Sequence, residues 1–131
     1  MKTRAINPTS WLQHFNMIHA IELTGASRSV YFSGQTSTNA DAAPLHPGDL
    51  VAQFQTAWNN LKAALSEAEM SPLNIVRMNI YTTDVTQFMQ KAEDIIPIFA
   101  TDGVEPVCTL LGISALFDPD LMVESEATAV A

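Results

Sequence analysis

The sequence is poor in positive charge and in cysteine. Six lysines and arginines stand against 14 aspartates and glutamates, giving a formal net charge of −8. A field of that sign repels phosphate backbones and no basic cluster offsets it, so we expect no nucleic-acid partner. Cys108 is the single cysteine and cannot form an internal disulfide. Small secreted domains usually carry cysteine pairs, so a cytoplasmic location is expected.

Membrane, leader and metal signals are also missing. No stretch approaches the roughly 18 uninterrupted apolar residues of a membrane span, and no apolar core follows the cationic residues in 1–8. We therefore expect neither a signal peptide nor a membrane partner. His14, His19 and His46 lie neither one helical turn apart nor near the cysteine, so no metal site is predicted.

Apolar residues, by contrast, make up 47% of the 131 residues, which is enough to build one core. No repeat, low-complexity segment or linker divides the chain. The longest loop signal runs from Thr36 to Gly48 and indicates an excursion within a domain. Residues 1–131 are therefore predicted to form a single domain.

Apolar spacings of three and four predict two helices. The first runs from Asp49 to Met70, with Asp49 as its cap and Ser71-Pro72 as its stop. The second runs from Thr86 to Ala100, where Pro97 should kink or shorten it.

Runs rich in β-forming residues predict five strands. Met17 to Leu23 and Val30 to Gln35 should pair as a hairpin. The other three strands are Ile75 to Thr82, Val107 to Ile113 and Leu121 to Val130. This order favours an α+β fold with both helices on one face of a sheet.

The sheet face away from the helices must then meet solvent or another subunit. In the middle and last strands that face carries Asn79, Tyr81 and Met122 together with Glu124 and Glu126. This mixture suits a partly polar interface between copies of the chain.

Five segments, in this order, resemble the RidA/YjgF family of reactive-intermediate deaminases, over roughly residue 17 to the end. They are Val30–Gln35 with its terminal Ser-Gly-Gln, Gly48–Gln53 followed by Trp58–Leu61, Val76–Asp84, Pro106, and Val123–Val130.

The resemblance implies a chorismate-mutase-like fold in which three subunits form a central β-barrel, with active sites in clefts between neighbours. It implies hydrolysis of enamines and imines, such as 2-iminobutanoate and 2-iminopropanoate, to 2-keto acids and ammonia. It also implies that no cofactor is used.

The family's carboxylate-binding arginine is missing. It belongs to a Pro-x-Arg-x-Cys segment, in which Cys108 now stands at the arginine position and Leu110 at the cysteine position. Met17 aligns with a family tyrosine. A thiol cannot imitate the two charge-assisted hydrogen bonds of a guanidinium group. Binding of a 2-imino acid should therefore lose about 1.5–3 kcal/mol or more.

Other family positions are kept. Glu124 matches the acidic residue that positions the hydrolytic water, and Gly34 matches a glycine whose backbone lies beside the ligand. The backbone N–H groups of Thr109 and Leu110 could hold a carboxylate or an oxyanion. Without the resemblance, Glu124 and Glu126 would sooner form a solvated strand face.

Two side chains have alternative interpretations. Cys108 is either a nucleophile or an inert buried thiol, and the lack of a cationic neighbour in the sequence favours the inert thiol. Arg77 could bind an anion in the cleft or pair with Glu124 or Glu126, and we favour the salt bridge.

Two functions remain open at this point. One is a cofactor-free deaminase whose substrate is a less anionic, more apolar enamine or imine than 2-iminobutanoate. The other is a trimeric module that binds a small metabolite without chemistry.

Overall fold

Helix α1 (Leu50–Glu67) forms one wall of the core in this computed structural model, which describes residues 1–131. An Asp49 carboxylate oxygen accepts a hydrogen bond from the Ala52 amide at 3.0 Å and caps the helix as predicted. The apolar stripe of α1 is buried, and Trp58 is only 1% exposed. None of the helices is long and apolar enough to cross a bilayer.

Six strands divide into two sheets. They are β1 (Lys2–Ile6), β2 (Ala20–Thr24), β3 (Ser29–Thr36), β4 (Ile75–Thr82), β5 (Val107–Gly112) and β6 (Val123–Val130). The main sheet has the order β3-β6-β4-β5, in which only the β4–β5 pair is parallel. Strand β5 therefore lies at an edge.

The predicted hairpin between the first two strands is wrong. Strand β2 pairs with β1, from Lys2↔Thr24 to Ile6↔Ala20, whereas β3 pairs with β6. Strand β1 was not predicted because all five of its residues are exposed and show no alternation. It nevertheless pairs with β2, and an ion pair between Arg4 and Glu22 joins the two strands.

The predicted second helix is present as two pieces, α2 (Val85–Gln90) and α3 (Ala92–Ala100). The break lies at Lys91, whose amide donates to the Gln87 carbonyl and closes α2. Pro97 sits inside α3, which runs on to Ala100, so this residue does not shorten the helix. A proline removes one helical hydrogen bond, and here α3 continues past that loss.

The two faces of the sheet follow the predicted alternation. Val76, Met78 and Ile80 of β4 are buried under the helices. Residues at the alternate positions of β4 and β6 are half-buried and point to the opposite side, which we call the outer face. No helix of the same chain covers that face.

Candidate functional site

An apolar cavity of about 340 Å³ lies between β5, the helices α2 and α3, and a short 3-10 helix, Trp11–Phe15. Four of the residues predicted from the resemblance line it: Met17, Cys108, Thr109 and Leu110. The structure therefore brings together most of the positions that surround the missing arginine.

The segment after the 3-10 helix is fastened to the start of β5, and this brings Met17 to the cavity. Asn16 adopts a left-handed conformation, and its side-chain amide donates to the Val104 carbonyl at 2.6 Å. The Ile18 amide donates to the Pro106 carbonyl at 3.1 Å. The sequence offered no periodic signal for this arrangement.

Sequence reasoning missed the aromatic walls of the cavity. Trp11, Leu12 and Phe15 come from the 3-10 helix, while Phe88 and Met89 come from α2. The available signal was the apolar spacing of residues 11, 12 and 15, which places three side chains on one side of a single turn.

Cys108 is a protonated thiol at neutral pH. Burial raises its pKa to about 12, against smaller opposing effects from the charge of Arg77 and the backbone of Thr109. A thiol in this state is a poor nucleophile. The environment favours the inert interpretation of Cys108.

Arg77 does not form the predicted salt bridge. Its guanidinium donates to the Thr109 hydroxyl at 2.9 Å and to the Asn79 side-chain oxygen at 3.1 Å. The Glu126 carboxylate is instead occupied by the Asn79 amide and the Tyr81 hydroxyl, which both donate to it. Asn79 thus stands between the cation and the acid.

Gly34 and Glu124 are in direct contact on the other side of the sheet. A bulge in β3 between Phe32 and Gln35 brings the Gly34 backbone towards β6. A Cβ atom at position 34 would overlap a carboxylate oxygen of Glu124. The missing side chain of Gly34 therefore lets the Glu124 carboxylate lie against the backbone of β3.

The pKa values of the two glutamates of β6 are shifted in opposite directions. Burial, and secondarily the charge of Glu126, raise the pKa of Glu124 above its usual range. Hydrogen bonds from Tyr81 and then Asn79 lower the pKa of Glu126. No protein group donates a hydrogen bond to Glu124. Neighbouring carboxyls whose pKa values are pushed apart are typical of acid–base sites.

Within one chain, the predicted site residues fall into two separate groups: those at the cavity around Cys108, and the pair Gly34 and Glu124. Cys108 pairs with the buried Met78 and shares its helix-covered face, whereas Glu124 pairs with Tyr81 on the outer face. Strand β4 separates them, so they lie at least two strand spacings, about 10 Å, apart across the sheet.

Gly34→Ala is expected to move the Glu124 carboxylate while changing the free energy of unfolding by no more than about 1 kcal/mol. The new methyl group meets only the Glu124 side chain, from its carboxylate back to Cγ, and this flexible side chain can swing towards solvent. The pKa of Glu124, followed by NMR of its carboxyl carbon, should then fall towards the ordinary value. Ser33→Ala is the matched control, and an unchanged Glu124 titration in Gly34→Ala would refute the contact.

Comparisons with known proteins agree with this architecture. The family model described as Endoribonuclease L-PSP matches residues 14–131. A RutC family protein of Aquifex aeolicus is 31% identical over 85% of each chain. The solved structure of YyfB from Yersinia pestis, of the Rid protein family, is 30% identical, covers 100% of both chains and superposes with a TM-score of 0.87.

The YjgF protein of E. coli shares the fold at a greater distance. It is 22% identical, with a TM-score of 0.69 over 83% of this chain and 87% of its own. The family model spans nearly the whole sequence and YyfB superposes along its full length. The chain therefore belongs to the RidA/YjgF family, whose family model is described as endoribonuclease L-PSP.

Proposed function

We propose that this protein hydrolyses a reactive enamine or imine to a carbonyl compound and ammonia without a cofactor. The observation that carries the proposal is the Glu124 carboxylate, which is partly buried, accepts no hydrogen bond from the protein and has a raised pKa. Such a group can orient a water molecule and accept its proton. The absence of a side chain at Gly34 lets this carboxylate lie against the backbone of β3.

Glu124 would transfer protons in both halves of the reaction. Its carboxylate takes a proton from water as the water oxygen bonds to the carbon of a protonated C=N group, giving a carbinolamine. The carboxylic acid then protonates the amino nitrogen. Finally the carbinolamine hydroxyl gives its proton to the carboxylate, the C=O bond forms, and the C–N bond breaks to release ammonia. The ammonia takes the proton from Glu124 and leaves as ammonium, which restores the carboxylate.

A complete site requires a second copy of the chain. The outer face that carries Glu124 is uncovered in one chain, and the cavity at Cys108 lies on the opposite face. Strands β3 and β5 are the two edges of the main sheet, so a homotrimer of the kind the resemblance implies would bring the β3 edge of one subunit, with Gly34 and Glu124, next to the β5 edge of its neighbour. Strand β5 is at the sheet edge, so half of its backbone N–H groups, at Thr109 or Leu110, could hold the substrate's polar end.

The assembly is tested by light scattering on the full chain. A trimer should give three times the 14.3 kDa of one chain. A monomer mass would remove the shared site and, with it, the proposed use of Glu124.

The activity is tested by ammonia release from imines generated in situ. An amino acid oxidase supplies 2-iminobutanoate and 2-iminopropanoate, and an amine oxidase supplies imines without a carboxylate. We expect weak acceleration of the first group, because Cys108 cannot clamp a carboxylate, and faster turnover of apolar, uncharged imines. Turnover of 2-iminobutanoate at the rate of arginine-bearing relatives would contradict the substrate preference. Ligand binding with no hydrolysis across the panel would instead support a metabolite-binding module.

RNA cleavage, which the description of the family model suggests, has no support in this chain. The net charge of −8 opposes binding of a phosphate backbone, and the cavity beside β5 is apolar.

A further inference from the structure

We propose that the cavity beside Cys108 binds an uncharged arylalkyl group, so that the substrate is an imine of that class without a carboxylate. The class of ligand follows from the cavity itself. Only the step that identifies this ligand as the substrate rests on the proposed function.

The walls of the cavity are shaped for an aromatic ring. Trp11 and Phe15 stand edge to face, with ring centroids 6.4 Å apart and planes at 80°. Phe88 lines the opposite side, and Met17 and Met89 supply flexible, polarisable contacts. A further ring can join such a cluster in offset or edge-to-face geometry, and methionine adapts to its outline.

The volume sets the size of the occupant. An engineered apolar cavity of roughly 150 Å³ stays dry and takes up benzene. The cavity of about 340 Å³ is roughly twice as large, which leaves room for a ring with a short chain. Ligand sites in proteins generally begin at about 300 Å³.

The lack of a positively charged residue in the walls disfavours an anionic ligand. No cation lines the cavity, and its one hydroxyl residue, Thr109, already accepts a hydrogen bond from Arg77. Cys108 is neutral at physiological pH because burial raises its pKa. A carboxylate entering this cavity would lose its water without gaining a counter-ion, whereas an amide or imine would lose far less.

Binding of a matched pair of stable probes tests the proposal without any turnover. Phenylacetamide and phenylacetate have the same ring and chain and differ in charge. Titrated into the full-length protein and followed by NMR or calorimetry, phenylacetamide should bind saturably and at least about tenfold more tightly than phenylacetate.

Two variants locate the binding. Trp11→Ala removes a wall residue that is 56% exposed and should weaken phenylacetamide binding about tenfold without unfolding the protein. Ala92→Leu adds side-chain volume to the cavity from a buried helix position and should block binding, and urea unfolding shows whether the larger side chain also lowers stability. Phe117→Ala is the matched control, because Phe117 is 66% exposed and lies outside the cavity.

Each outcome decides. Absence of saturable phenylacetamide binding overturns the proposal whether or not imines are hydrolysed, as does an equal effect of Phe117→Ala and Trp11→Ala. Phenylacetate binding as tightly as phenylacetamide also overturns it, and loss of that binding in Arg77→Met would assign the anion to the outer face. Phenylacetamide binding at the cavity without any imine turnover supports the ligand class and overturns the proposed function instead.

Discussion

Glu124→Gln is expected to lower kcat for imine hydrolysis by a factor of about 10²–10⁴, the usual contribution of a general base. The amide has almost the same shape as the carboxylate but cannot accept the proton of the attacking water. The loss should fall on kcat with little change in KM, because the apolar part of the substrate is held elsewhere, at the cavity beside Cys108.

The same substitution should not destabilise the fold. No hydrogen bond to Glu124 is lost, and burial holds its folded pKa above the unfolded value. A carboxyl with a raised folded pKa destabilises the protein progressively as pH rises above its unfolded pKa. At neutral pH, Glu124→Gln should therefore be at least as stable as the wild type, measured by urea unfolding.

The pH profile distinguishes a catalytic from a structural role. Because the active form of Glu124 is the carboxylate, kcat/KM should rise with pH through a raised pKa, above the ordinary glutamate range. The charge of Glu126 contributes to that pKa. Glu126→Gln should move the rising limb to lower pH while most of the activity remains.

Glu126→Gln is also the matched control. The residue lies two positions away on the same strand, but Tyr81 and Asn79 occupy its carboxylate. If Glu124→Gln hydrolyses imines as fast as the wild type, Glu124 is not the base. If both variants lose activity equally and without a shift in the pH profile, the effect is a general one on the outer face.

The elements that were predicted correctly from the sequence are those that bury one face and expose the other. Helix α1 and the strands β4 and β6 each have one face under the core, so their apolar residues recur at the period of the element. Strand β1 is exposed along its whole length and the 3-10 helix Trp11–Phe15 spans a single turn. Strand β1 leaves no periodic pattern, and the pairing of β2 was mispredicted for that reason.

Contacts within the site depended on register, which no single-sequence pattern contains. The resemblance pointed to Gly34 and Glu124, but their contact arises from a bulge in β3. Arg77 was matched with the wrong partner because Asn79 satisfies Glu126 first. The apolar character of the cavity could be anticipated from Cys108, whereas its aromatic walls were missed because their signal is confined to residues 11–15.

Cys108→Arg is expected to raise kcat/KM for 2-iminobutanoate by about tenfold to hundredfold over the wild type, corresponding to about 1.5–3 kcal/mol for a charged hydrogen-bonded contact. The guanidinium stays ionised and presents two parallel donors to a carboxylate. Its aliphatic stem can lie along the apolar wall near Leu110 while its head reaches the mouth of the cavity.

The gain should come with a reversed preference and lower stability. The longer side chain takes up part of the cavity, so turnover of uncharged arylalkyl imines should fall, and Tm should fall because a charge replaces a mostly buried thiol. Cys108→Met is the matched control, since it lengthens the side chain without adding charge and should depress both substrate classes. If Cys108→Arg folds but prefers uncharged imines as the wild type does, the residue at position 108 does not set the charge of the substrate. The specificity would then have to arise from the outer face, where Arg77 is the available cation.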